Sequence, residues 1–258
     1  MSGGARDAYD GDVDVRGEDR LGQYGLVVDW GGVLTGALDR AMTSWAAQDV
    51  INFDHFRHVM EAWAGSLGPA IGPGETTGTG FGEPQAIEEV FQAAPVRESP
   101  VHRLERGELS VSEFERMLAH ELSVRGSTVA ADGLVRRILA GLESLDPDMV
   151  AVVRRARSLG VRTALLSNSW GDHYPEALWD GLFDEIVISG QVGLRKPQPE
   201  IFRLTCDRLD LSPERCIMVD DLPQNVHAAA AVGMIGVLHR SCDETRAELE
   251  ILLGTTLA

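Results

Sequence analysis

The chain has 258 residues, of which 44% are hydrophobic and 24% charged, enough for one core domain carrying a second, smaller one. A formal net charge of −17 repels nucleic acid and anionic lipid at long range, so neither is expected as a partner. No apolar run approaches the roughly eighteen residues of a membrane-spanning helix, and Cys206, Cys216 and Cys242 lack metal-ligand spacing; the expectation is a cytoplasmic protein with reduced thiols.

Residues 1–22 are polar and acidic, lack the apolar stretch of a signal peptide, and read as a disordered tail. The run YGLVVDW at 24–30 is apolar and β-rich, and predicts a buried first strand followed by a glycine-rich turn over 31–36. Residues 37–145 carry helical periodicity, clearest in SEFERMLAHELSVR at 112–125, with Ser110 or Ser112 as the cap. Within that region, 65–82 holds seven glycines and no helical period, which predicts a flexible loop.

From residue 146 the rhythm changes. Helices are expected at 146–159, 175–182, 199–209, 224–232 and 243–253, alternating with strands at 161–167, 185–188, 216–220 and 235–238. Short apolar strands separated by helices imply a doubly wound parallel α/β sheet covered on both faces. The first strand belongs to the same sheet. The expected organisation is therefore a Rossmann-like core of 23–36 and 146–258, with 37–145 inserted as an all-helical cap.

Ligands of open α/β sheets sit beyond the carboxyl ends of the strands. Four such ends carry polar residues here: Asp29, Ser167-Asn168, the segment leading to Lys196, and Asp220-Asp221. Three carboxylates against one ammonium leave an excess of two negative charges. Like carboxylates held close raise one another's pKa and are costly to desolvate, and a divalent cation would cancel the excess. Carboxylates, a backbone carbonyl and waters are the ligands Mg²⁺ prefers. Lys196 is also the only lysine among 23 basic residues, the other 22 being arginine. A chain that uses arginine everywhere else has a chemical reason for a compact ammonium at that one place.

The segments VVDWGGVLTG, LLSNS, GLRKPQPEIF and VDDLPQNV occur in this order, each at a predicted strand end or in the loop after it. Together they resemble the four motifs of the haloacid dehalogenase-like hydrolase superfamily. GGVL, SNSW and the aspartate pair followed by Asn225 are most similar to the group containing the amino-terminal phosphatase domain of soluble epoxide hydrolase.

The resemblance implies a Mg²⁺-dependent phosphatase acting on a small phosphorylated metabolite through an aspartyl-phosphate. It implies Asp29 as nucleophile, Lys196 bridging nucleophile and phosphoryl group, and Ser167 with the backbone around Asn168 binding phosphate oxygens. It further implies a metal site of Asp29, the Gly31 carbonyl and Asp221, with Asp220 in support. One departure stands out: the family's phosphatases usually have a second aspartate, the general acid–base, where this chain has Gly31. Gly31 gives weight to the alternative of a catalytically weak relative with a regulatory or binding role. A haloacid dehalogenase is the lesser alternative, because the Asp220-Asp221 pair argues against it.

Other polar residues have plainer readings. His55, His58 and Glu61 share helical spacing, but a half-exposed helix face accounts for them better than a metal site. Arg97, His102, Arg103 and Arg106 read first as a solvated helix face. Asn225 stands evenly between helix face and ligand, and Trp170 between pocket wall and core.

Overall fold

The computed structural model describes residues 21–36, 38–64, 99–142, 144–171, 174 and 181–257. Five parallel strands form one sheet in the order β3-β2-β1-β4-β5. They are β1 (Gly25–Val28), β2 (Arg162–Ser167), β3 (Glu185–Ile188), β4 (Cys216–Asp220) and β5 (Ile235–Leu238). The last three have the expected bounds. β1 is shorter than expected, because the chain turns after Asp29 donates its amide to Val219 O at 3.0 Å.

Alternation along each strand sends side chains to two cores. Leu26, Val28, Leu165, Val219 and Val237 pack on one face with α6 (Pro147–Ser158) and α10 (Cys242–Leu253). Val27, Ala164, Leu166, Val187 and Met218 pack on the other with α8 (Pro199–Arg208) and α9 (Pro223–Ala231). This is the doubly wound sheet that the uninterrupted apolar strands predict.

The strand order places the site. The chain runs outward from β1 to β3, then returns to lay β4 against the other side of β1. The crevice between connections that leave in opposite directions opens above the carboxyl ends of β1 and β4.

Between β1 and α6 come α1 (Leu38–Gln48), α2 (Phe53–Ala64), α3 (Pro100–Glu105), α4 (Val111–Val124) and α5 (Leu134–Leu139). Their departure and return meet at one stem, where Thr35 bridges Leu145 and Asp146 donates its amide to Leu34 O at 2.8 Å. They share a core of their own that includes Trp45, Phe56, Met60, Phe114, Leu118 and Leu122.

α4 shows why such a segment is helical. Ser110, not Ser112, is the cap, in a reciprocal capping box with Glu113. Phe114, Leu118 and Leu122 then fall four apart on one buried face. Truncating Phe114, fully buried against Trp63 and Trp170, would cost ~3–5 kcal/mol. Asp146 starts α6 in the same manner, accepting from the amides of Asp148 and Met149. A four-residue helix after β3, α7 (Ser189–Val192), is not predicted by the apolar pattern.

Most of the acidic tail, the loop at 65–82, Arg97 and nearly all of the helix expected at 175–182 lie outside the described residues. No described helix is long and apolar enough to cross a membrane. All three cysteines are free thiols.

Candidate active site

Asp29 directly follows β1 and Asp220 ends β4, so the central pairing of the sheet brings their carboxylates to one crevice. The turn after Asp29 carries Gly31 and Gly32. Gly32 has φ +80°, and a Cβ there would stand 2.1 Å from Asp221 Oδ2. Only a hydrogen fits between this turn and the Asp221 carboxylate, so the glycine is required by both conformation and space. Gly31 differs, since no heavy atom lies within 4 Å of where its Cβ would stand.

Lys196 comes from the segment between α7 and α8 and is 1% exposed. Its Nζ lies 2.7 Å from Asp29 Oδ1 and 2.6 Å from Asp220 Oδ2. Burial opposes the ammonium, but the carboxylates of Asp220 and Asp29 outweigh it and raise its pKa above the usual lysine value. The lysine therefore stays charged.

Asp220 is fully buried and satisfied on both sides. Its second oxygen, Oδ1, accepts from Leu222 N and Asn225 Nδ2, each at 2.9 Å. Asn225 is thus not a surface residue: it is buried, and its side-chain N–H fixes Asp220. One ligand oxygen each from Asp29, Asp220 and Asp221 lie within 4.8 Å of one another. Burial pushes the Asp29 carboxyl up to about 7; Lys196 pulls it down, while Asp220 and Asp221 push it further up. The three carboxylates and the one ammonium counted from the sequence share this crevice.

At the end of β2, Ser167 Oγ shares a 2.8 Å hydrogen bond with Tyr174 OH. Tyr174 rests edge-on against Trp30, next to the candidate nucleophile, and burial raises its phenol to about 12. The Asn168 side chain is committed to the lysine's own backbone: Oδ1 accepts from Lys196 N at 2.8 Å and Nδ2 donates to Lys196 O at 3.0 Å. Trp170 packs on Phe114 within the helical insertion, so it belongs to that core.

The structure brings Asp29, Lys196, Asp220 and Asp221 into one cluster, ties Asn168 to it through the Lys196 backbone, and sets Ser167 on the neighbouring strand end. Sequence reasoning missed Tyr174, because a tyrosine in a loop carries no periodic signal. The Arg106 side chain, 12% exposed, is mostly covered rather than solvated, but for His55, His58 and Glu61 the plainer reading fits. His55 bonds Ser127 Oγ, His58 bonds Asp54 O, and Glu61 faces Arg57.

A sequence model of the haloacid dehalogenase-like hydrolases matches residues 25–233. The chain belongs to this family. It is accordingly a hydrolase, and the match spans the motif segments in the core. Among relatives of the family, the sesquiterpene phosphatase astK of Aspergillus oryzae is 31% identical over 157 residues, which cover 59% of this chain and 78% of astK. Bifunctional epoxide hydrolase 2 of Rattus norvegicus is 24% identical over 61% of this chain. The matched span is only 31% of that protein's length. A family enzyme from Bacteroides thetaiotaomicron, solved in complex with magnesium and inorganic phosphate, has a TM-score of 0.52 at 17% identity, covering 84% of this chain and 94% of the other. At that identity it shows a shared fold.

Proposed function

We propose that this hydrolase cleaves phosphate monoesters of small metabolites through a covalent aspartyl-phosphate at Asp29, with Mg²⁺ as its metal. The observation that carries the reading is the buried Lys196, the only lysine of the chain, set between two carboxylates of a three-aspartate cluster. Phosphatase-named relatives such as astK support the substrate class.

The donor set fits the metal. Three hard carboxylate oxygens converge, and the Gly31-Gly32 turn passes against Asp221 with no room for a side chain at Gly32. Asp29, the Gly31 carbonyl and Asp221 would hold the ion. Both oxygens of Asp220 already have partners, which suits it to the supporting role. When bound, the ion would neutralise the carboxylate excess and the charge of the phosphoryl oxygens.

The rest of the chemistry belongs to the chain. Lys196, fixed through Asp220 by Leu222 N and Asn225, holds the Asp29 carboxylate and would meet the phosphoryl group on its far side. Ser167 and the Asn168 amide would donate to phosphoryl oxygens, the Ser169 amide being held by Ser189 Oγ. An Asp29 oxygen attacks phosphorus while the ester oxygen departs with its electron pair and takes up a proton. Water then attacks the same phosphorus, the bond to Asp29 breaks, and phosphate leaves with the carboxylate restored.

With Gly31 in the acid–base position, that proton has no carboxyl donor in the turn, and loss of general acid–base help costs about 10²–10⁴ in rate. The same glycine favours the second reading, a slow relative kept for binding. A screen of phosphate esters with and without Mg²⁺, including aryl phosphates and sugar 1-phosphates, separates the two. Mg²⁺-dependent turnover is expected; no turnover of any ester would favour the binding role.

A further inference from the structure

We propose that Glu105, at the end of α3 in the helical insertion, is a positioning residue that holds together the two core loops carrying Ser167-Asn168 and Lys196. The proposal deepens the phosphatase reading and rests on it for its kinetic consequence.

Glu105 is a buried carboxylate, and each of its oxygens has a different partner. Oε2 accepts from Arg195 Nε, and Oε1 accepts from Trp170 Nε1 at 3.4 Å. Arg195 immediately precedes Lys196, and Trp170 comes two residues after Asn168. One side chain of the insertion therefore grips both loops at once. Burial raises the Glu105 carboxyl above the ordinary glutamate range, and Arg195 opposes that rise. Removing the charge leaves the Arg195 guanidinium, whose side chain is 16% exposed, without this carboxylate.

The same two loops are tied on the core side. Asn168 bonds both backbone atoms of Lys196, and Ser169 donates its amide to Ser189 Oγ at 2.8 Å. The approach of insertion to core is close at this point. Gly107 has φ +72°, and a Cβ on it would stand 2.6 Å from Gly190 O in α7. Backbone meets backbone there, two residues from Glu105, so the carboxylate is delivered from a fixed seat. Lys196 and its loop are thus held from above by the insertion as well as from below by Asp220.

Amide hydrogen exchange and steady-state kinetics on the full chain test the proposal, using Glu105→Gln, Arg195→Gln and the double variant, with p-nitrophenyl phosphate and Mg²⁺. Glu105→Gln should speed exchange at the Ser169 and Lys196 amides about 10-fold or more while the amides of β1 and β4 keep their protection. Its kcat should fall by about 10-fold with KM nearly unchanged, since Glu105 orients the machinery without touching substrate. The double variant should be no worse than the poorer single one, because both substitutions remove one interaction.

Unchanged exchange at Ser169 and Lys196 in both single variants would overturn the proposal. So would an equal loss of protection throughout the sheet, which marks a merely structural residue. If Glu105→Gln does not fold, Arg195→Gln interrogates the same pair from the core. Absence of turnover in the wild type would defeat the phosphatase reading alone, and exchange would still decide the coupling.

Discussion

At Lys196 the surroundings ask for a point charge: the ammonium is enclosed, with carboxylate oxygens at 2.7 and 2.6 Å. A planar guanidinium does not fit that space. Lys196→Arg should therefore lose activity by about 10²-fold or more despite keeping the charge; turnover like the wild type would refute the role. Asp29 carries a second prediction. Its carboxyl is pushed up to about 7, above its unfolded value, so the native state binds more protons and this group's contribution to stability falls as pH rises from about 4 to about 7. A divalent cation competes with that proton. Mg²⁺ should accordingly raise Tm more at about pH 7.5 than at about pH 5.5, and Asp29→Asn should raise the Tm of the metal-free protein by ~2–4 °C per kcal/mol relieved. Equal Mg²⁺ shifts at both pH values would contradict the cluster's role. Gly31, whose Cβ position is open, tests the missing acid. Wild-type rate should depend steeply on leaving-group acidity, and Gly31→Asp should help the poorest leaving groups most, by up to about 10²-fold. A flat dependence in the wild type would mean another residue already supplies the proton. The aspartates and the lysine were legible in the sequence because each breaks an apolar strand end or the chain's arginine habit. Glu105 was not, since its partner Arg195 lies 90 residues away and only the tertiary fold joins them.

The elements themselves were legible where two signals coincide. β4 and β5 end as expected because apolar β-branched runs meet turn residues on both sides. α9 begins one residue before the predicted 224, with Pro223 in its first turn, where a proline gives up no helical hydrogen bond. α7 was illegible, since SGQV has too few residues to show a period. The contact between insertion and core was equally hidden, because it depends on two backbones meeting at Gly107 and Gly190. That contact predicts its own sensitivity. Gly107→Ala places a Cβ against Gly190 O at a positive φ, and should destabilise the protein by ~1–3 kcal/mol or more in a denaturant titration. Gly181→Ala, with positive φ but nothing near its Cβ, should cost only the conformational part of that penalty. Equal losses would show that the close approach contributes nothing.

Across the whole molecule, the net charge of −17 and the proposed anionic substrate oppose each other. Screening shortens from about 30 Å at 0.01 M salt to about 8 Å at 0.15 M. At fixed Mg²⁺, kcat/KM for a phosphate ester should rise a few-fold over that range, opposite to an enzyme that steers its substrate electrostatically. A fall with salt would indicate a positive approach path that the overall charge conceals. The central claim, a covalent phosphoryl group on Asp29, is tested most directly by acid-quenching the Mg²⁺-loaded protein during turnover of an aryl phosphate and weighing its peptides. The peptide containing Asp29 should gain the mass of one phosphoryl group, and the gain should be absent from Asp29→Asn. Sustained turnover with that peptide unmodified, or with Asp29→Asn as fast as the wild type, would contradict the account.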